Sequence, residues 1–356
     1  MKQYNYKLLF YVSGENDPSP RFRFLQFLEP LKKLGFIIDI ETMAPPRNHK
    51  FKYGKIPIIK EFEKTFVLIK RLVKINHIIR NAKKYDLIFT NKDLVPNLNI
   101  SYLESKLAKA NPKIVFDIDD AIYLGKRGDK LKKIIPSYKA VIAGSPILAD
   151  YVAKTYKVKS YYIPMALNSD KYLPLKERPN GILRIGWSGS HHTNITALPL
   201  LKEPLELLAK ELDFEFIAVS NVDPKLDWPN VKTRFIKWSE ETEVSAIQLF
   251  DIGLMPLKDN EFERGKCALK AVQYMAVGVP AVVSPVGVNE LIVRNGIDGL
   301  HYKNDQELLE SLKTLATDTD LRIKMGKSAY NRVLENYSIE VLSKEYAKVF
   351  DEIINS

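Results

Sequence analysis

Residues 263–280 read "ERGKCALKAVQYMAVGVP". Two short apolar runs flank them, "IGLMPL" at 252–257 and "PAVVSPVG" at 280–287. Between those runs the apolar period changes from strand-like to helical: Leu269, Val272 and Ala276 form one stripe, and Lys266, Lys270 and Gln273 another. The stretch therefore reads as strand, helix, strand, with the helix over 266–277. Such a unit needs a crossover and so a parallel sheet. The same alternation runs along the chain. "KLLFYVS" precedes "RFRFLQFLEPLKKLG" and "FIIDIE"; "YDLIFTN" leads to a helix ending near Ala110 and then "KIVFDIDD"; "AVIAGS" precedes "PILADYVAKTY" and "SYYIPM". At 167–181 the pattern breaks into "LNSDKYLPLKERPNG", with Pro174 and Pro179, and then restarts at "ILRIGWSGS". The fold class is α/β, as two Rossmann-like domains with parallel sheets. Ligands of such sheets sit beyond the carboxyl ends of the strands, and the cleft between two of them is the default site.

Composition sets the outer bounds. The chain has 356 residues, is 46% hydrophobic and carries a net charge of +11. That length suits two cores rather than one. A single cysteine, Cys267, excludes an internal disulfide framework and a cysteine metal site. The N-terminal apolar run is a handful of residues long and reads as a buried strand, not a signal peptide. No stretch is long and apolar enough to span a bilayer. The expectation is a cytoplasmic protein, with the inner face of the cell membrane as a second location. Much of the positive charge falls in 47–84, where Lys70, Arg71, Lys74, Arg80, Lys83 and Lys84 recur at helical spacing among apolar residues. The region 56–84 is either a surface helix with a solvated basic face or a basic amphipathic helix on an anionic membrane. Nucleic acid is not expected as a partner, because basic balance comes without an aromatic-and-basic platform.

The chemistry is expected at strand ends. In "GWSGSHHTN", Gly189 would let backbone approach a ligand and Ser190 could donate to a phosphate. This is no Gly-x-Gly-x-x-Gly fingerprint, so a nicotinamide cofactor is not expected. His191 and His192 have no cysteine or acid beside them, which favours surface residues over metal ligands. In 263–280, Arg264 and Lys266 appear to open a helix, where the backbone already presents positive partial charge. An anion in the helix mouth would make that favourable, and a diphosphate is the natural one. Glu263 stands beside them, Lys270 one turn on, and Gln273 deeper, within reach of a ribose or base. In "SPVGVNE", Gly287 and Val288 offer backbone to a phosphate or sugar, and Asn289 could cap the next helix. In the first half, Arg21 and Arg23 of "SPRFRF" pose the same wrong-end puzzle and suggest an acceptor or phosphate contact. Asp117, Asp119 and Asp120 of "VFDIDD" could supply a base, orient a hydroxyl, bind a divalent metal, or merely cap the following segment.

With these motifs in hand, the chain resembles glycosyltransferase family 4, retaining enzymes of the GT-B fold. The likeness runs through "SPRFRFLQFLEPLKKLG", "VFDIDDAIYL", "VIAGSPILADY", "IPMALNSDKY", "IGWSGS", "FDIGLMPL", "ERGKCALKAVQYMAVGVPAVVSPVGVNELI" and "NGIDGL", in that order. The long block is the most specific and looks like a branch whose helix starts with "ERGKC". The resemblance implies an N-terminal acceptor domain at 1–166, a linker at 167–181, a nucleotide-sugar domain at 182–335 and a last helix at 336–356 that could cross back to the first domain. It implies a nucleotide-diphosphate sugar as donor, a glycan or lipid-linked acceptor in surface polysaccharide or lipopolysaccharide synthesis, and no metal or other cofactor. Arg264, Lys266 and Asp120 would be catalytic; Gly189, Ser190, Glu263, Lys270, Gln273, Gly287, Val288 and Asn289 would bind the donor; Arg21, Arg23 and Asp117 would meet the acceptor or a phosphate. The chain departs from the family pattern in several places. Two glutamates eight positions apart are usual on this helix; here Gln273 stands at the second place and Gly265 at the first, so Glu261 or Glu263 would have to substitute. Ser190 stands where an arginine is usual, and Asn194 lies near a usual lysine. A nucleotide-sugar epimerase of the same fold, or a non-catalytic glycan- or membrane-binding derivative, remain alternatives.

Overall fold

A computed structural model describes residues 3–14, 17–43, 57–96, 98–125, 127–177 and 181–356. Positions 47–56 of the basic region and Pro179 of the expected linker lie outside them. The chain divides into two compact units, Met1–Pro164 with Leu342–Ser356, and Met165–Val341.

The first unit is built on six parallel strands: β1 Lys7–Val12, β2 Ile37–Thr42, β3 Leu87–Thr90, β4 Ile114–Ile118, β5 Ala140–Ala143 and β6 Lys159–Tyr162, in the order β2-β1-β3-β4-β5-β6. β3, β4 and β5 are buried along their whole length, as strands covered by helices on both faces must be. The core includes Phe10, Phe24 and Phe89, with Phe24 and Phe89 edge-to-face at 4.3 Å between centroids. The helix Ile339–Asn355 supplies Phe350 to this group, 5.9 Å from Phe89 and 6.2 Å from Phe10. Tyr346 stacks at a tilt on Phe27, and Tyr6 donates to Asp351 at 2.9 Å. Leu342–Ser356 is thus part of the first unit's core although it follows the second unit in sequence.

The second unit repeats the plan with β7 Leu183–Gly189, β8 Phe214–Ser220, β9 Lys232–Lys237, β10 Ile252–Met255, β11 Ala281–Val283 and β12 Gly299–His301, in the order β12-β11-β10-β7-β8-β9. Its core gathers Ile185, Trp187, Phe214, Phe216, Leu254 and Leu312. Part of the expected linker is built into this unit. Leu167 donates to Tyr337 and accepts from Ile339, and Tyr172 is buried. The polar sequence of 167–173 concealed a buried tyrosine whose hydroxyl is spent in a side-chain network described below.

In each sheet the first strand of the unit is an inner one and later strands are added on both sides. The order reverses between β1 and β3 in the first unit, and between β7 and β10 in the second. Those switch points splay the following loops apart and leave a crevice at the strand ends. Among the described residues, no helix is long and apolar enough to cross a membrane.

Candidate functional site

At the second unit's switch point, β7 ends in Gly189 and passes straight into the helix His191–Ala197. Ser190 caps that helix in a reciprocal box with Thr193: its N–H donates to Thr193 Oγ1 at 2.7 Å. The Ser190 hydroxyl is therefore already engaged, though exposed. Gly189 is required by its own neighbours. A Cβ there would lie 2.3 Å from the Trp187 ring and 2.4 Å from Thr193 Oγ1. His191 and His192 are exposed on the helix, with the His191 N–H donating to Asn221.

Across the switch point, β10 leads into a turn that corrects the helix expected over 266–277. Asn260 caps a four-residue helix, Glu261–Arg264, by accepting from the Glu263 N–H at 3.0 Å. The chain then breaks. Ala268 takes a left-handed conformation, φ 52°, and the main helix runs only over Leu269–Ala276. Arg264 thus closes a short helix, at its favourable end, instead of opening a long one. It is exposed and ion-paired with Asp259 at 2.6 Å. Lys266 lies in the break itself, with its ammonium 2.6 Å from Glu263 Oε2, and both side chains are largely buried. No side chain among the described residues caps the start of Leu269–Ala276. A left-handed alanine next to an uncapped helix start costs free energy of order 1 kcal/mol or more, and such cost is characteristic of functional turns.

The third wall is the loop after β11. Ser284 accepts from the Leu257 N–H at 2.8 Å, which ties it to the β10 loop. Gly287 has φ 60°, and a Cβ on it would lie 2.5 Å from the Arg264 carbonyl oxygen. Only glycine lets this loop back onto the Arg264 turn. Val288 is buried and holds the N-cap place of the next helix without a side-chain bond. Asn289 was expected to cap; it is instead buried one residue further in, donating to the Ser284 carbonyl at 3.0 Å.

Behind the turn lies a polar chain that the sequence did not announce. Lys270 donates to Gln273 Oε1 at 2.8 Å; Gln273 donates to the Tyr172 hydroxyl at 2.9 Å; Tyr172 donates to Glu243, whose other oxygen accepts from Trp238 Nε1 at 3.0 Å. Gln273 is fully buried with both ends of its amide occupied. It holds Lys270 in place. Glu243 sits in "SEETEVS", where nothing in the pattern separates a buried acid from its exposed neighbours.

In the first unit the expected acceptor residues are also placed differently. The helix is Pro18–Arg23, so Arg21 and Arg23 stand in its last turn, not its first. The prolines at 18 and 20 set the start earlier than the arginines suggested. Arg23 is buried against Asp117, with Nη2 2.6 Å from Oδ1, and Nη1 donates to the carbonyls of Ile163 and Pro164. Burial pushes the Asp117 carboxyl up to about 7, against the pull of Arg23. The pair therefore anchors the chain at Ile163 and Pro164. Asp120 is partly exposed beyond β4, with its carbonyl accepting from Ile122. It belongs to the first unit, Arg264 and Lys266 to the second. The first unit's own switch point carries groups not singled out from sequence: the Ser13 N–H donates to Asn91 at 2.8 Å, Ser13 Oγ to Asp17 at 2.8 Å, and Lys92 lies 3.9 Å from Asp17. Among the described residues, no group of three or more His, Cys, Asp or Glu could hold a metal ion.

Comparison with known proteins bears on this second unit. Residues 183–318 match the family model described as glycosyl transferases group 1. That match lies wholly within the second unit. An uncharacterized glycosyltransferase of Methanocaldococcus jannaschii is 26% identical over 117 residues, 32% of this chain and 29% of that protein. Among solved structures, a glycosyltransferase of Rickettsia africae superposes with a TM-score of 0.73 at 16% identity, covering 99% of both chains. The sucrose-phosphate synthase of Thermosynechococcus elongatus gives 0.69 at 15% identity, over 98% of this chain and 99% of that one. Anabaena HepE, solved with UDP and glucose, gives 0.63 at 12%, over 98% and 100%. At such identities the likeness is one of fold, and the fold is that of the GT-B glycosyltransferases. Domain and relatives alike are those of a transferase of sugars.

Proposed function

We propose that this chain is a retaining glycosyltransferase of the family 4 kind, in the branch marked by "ERGKC". It moves a sugar from a nucleotide-diphosphate sugar to a glycan or lipid-linked acceptor in surface polysaccharide or lipopolysaccharide synthesis, at the inner face of the cell membrane. The observation that carries the reading is the broken turn at the switch point. Lys266, the helix start at Leu269 and Lys270 follow one another in the loop beyond β10, inside the stretch that the group 1 family model matches. Preorganised positive charge there is suited to a diphosphate. HepE, of the same fold, was solved with UDP, which supports a nucleoside diphosphate as the ligand.

Breaking the donor's glycosidic bond builds negative charge on the leaving diphosphate and positive charge on the sugar. Lys266 and the helix N–H groups stabilise the first, in a site where they need not reorganise. Glu263 holds the Lys266 ammonium in position before the donor arrives. Gln273, bound through Tyr172 to Glu243, does the same for Lys270. Attack from the face the diphosphate leaves gives retention. These cations take the part a metal would otherwise play, so no cofactor is required. Asp120 is the first unit's candidate for meeting the acceptor hydroxyl.

The test is calorimetry with UDP, GDP, ADP and CMP in the presence of a chelator, followed by turnover with the sugars of the base that binds. One nucleoside diphosphate should bind selectively without metal. Lys266→Met, with Glu263→Gln added so that no buried carboxylate is left unpaired, should lower kcat/KM about 100-fold or more while the melting temperature holds. Full activity in that variant rejects the phosphate role of the turn. Conversion of the donor with no acceptor present would point to an epimerase, and binding of none of the nucleotides to a non-catalytic protein.

A further inference from the structure

The helix Pro57–Asn81 packs one face on the first unit. Ile75 and Ile78 are buried, and Arg71 and Lys74 donate to the carbonyls of Met43 and Thr42, both at 3.0 Å. A helix docked this way ordinarily turns polar side chains outward. This one does not. Phe62, Phe66, Ile69 and Val73, spaced by four, three and four, fall on the opposite side at about 100° per residue. They are 73%, 56%, 53% and 64% exposed. Lys70 flanks them, its ammonium 4.4 Å from the centre of the Phe66 ring. Arg80, Lys83 and Lys84 continue the exposed side beyond Val73. From Thr65 to Lys84 the sequence holds six lysines and arginines and no acid.

We propose that this outward face docks on an anionic lipid bilayer, with the two phenylalanines, Ile69 and Val73 in the interface and Lys70, Arg80, Lys83 and Lys84 on the headgroups. Both halves of the surface call for the same partner. Exposed aromatic and aliphatic side chains in a row are costly in water and gain by entering the headgroup and acyl boundary. The surrounding cations gain from a negative surface potential. A second copy of the chain answers only the first half. It would bring two rows of cations together, and four side chains fall well short of the roughly 800 Å² per partner of a stable dimer. The inference deepens the reading above by placing the enzyme where a lipid-linked acceptor would be, but its test needs no turnover.

The full chain would be sedimented with phosphatidylcholine vesicles and with vesicles containing phosphatidylglycerol. Binding is expected to the anionic vesicles only, falling roughly tenfold at about 0.5 M salt, where charge is screened within a few ångströms. Phe62→Ser/Phe66→Ser/Val73→Ser and, separately, Lys70→Glu/Arg80→Glu should each lose roughly tenfold or more. All five positions lie on the exposed side, and melting temperatures would verify that folding is intact. No binding to anionic vesicles by the parent, or binding at the parent's level by either variant, overturns the proposal. So does a concentration-dependent dimer that the serine variant abolishes, which would give the face to a second copy. UDP calorimetry on the same samples keeps the two readings apart. Lost vesicle binding with intact UDP binding is the result expected of the variants, and vesicle binding by a chain that takes no nucleotide would retain the docking face while rejecting the donor site.

Discussion

At the scale of single residues, pairing decides what each charge can do. Asp298 shows the structural extreme. Its side chain is fully buried, accepting from Arg294 at 2.6 and 2.7 Å and from Ser328 at 2.8 Å, with Arg332 3.5 Å away. Burial alone would raise its carboxyl, but the hydrogen bonds from Arg294 and Ser328 hold it below the ordinary range. A depressed carboxyl stabilises the fold above its unfolded pKa of about 3.9 and loses that contribution as pH falls through the folded value. Asp298→Asn should therefore cost about 3 kcal/mol near neutral pH, and the gap in melting temperature from the parent should narrow as the pH approaches about 3. A gap independent of pH would mean that shape, not charge, holds this turn. The same logic explains which site residues could be read from the sequence. Arg264 and Lys266 stand out in the sequence because cations at an expected helix start are anomalous. The helix break at Ala268, which no local pattern encodes, removes the anomaly. Arg23 stands out for the same reason and Asp117 as one of three clustered carboxylates, and they are each other's partners, 94 residues apart. Composition at a strand end does not say whether an arginine faces a ligand or a carboxylate.

At the scale of elements, period carried the fold. Runs such as "KIVFDIDD" and "PAVVSPVG" could hardly be anything but buried parallel strands, and β4 and β11 lie where those runs stand. Helix ends were less legible, because caps such as the Asn260 side chain and the Ser190–Thr193 box act through geometry over three residues. The last helix is the clearest test of an element's worth. Its stripe of Leu342, Tyr346 and Phe350 was plain in the sequence, but the surface that receives it is made of Phe10, Phe27, Phe36 and Phe89, over 250 residues earlier. Phe350 is fully buried among them. Phe350→Ala should cost about 3–5 kcal/mol, read as a lower denaturant midpoint for the first unit with that of the second unchanged. A stable variant would show that the helix is an accessory to that core.

At the scale of the whole molecule, two cores of similar size share one chain, and two-state melting need not hold. Calorimetry should resolve two transitions. The nucleoside diphosphate proposed as its ligand, at about 100 times its Kd, should raise only the one in which Met165–Val341 unfolds, by about 2.7 kcal/mol. A single transition moved as a whole would mean that the units melt together. The first unit is assembled from two separated stretches, Met1–Pro164 and Leu342–Ser356, while the second is one continuous run. On the ribosome this reverses the order in which the chain is written. Residues 1–164 emerge first but must wait, with an aromatic cluster short of Phe350, until everything up to 356 has been made. Met165–Val341 can close as soon as it clears the exit tunnel. The second unit would then be finished before the first, and at ordinary elongation rates of about 5–20 residues per second the unfinished first unit stays open for some 10–40 s. That interval is the period in which a nascent chain of this protein most needs a chaperone.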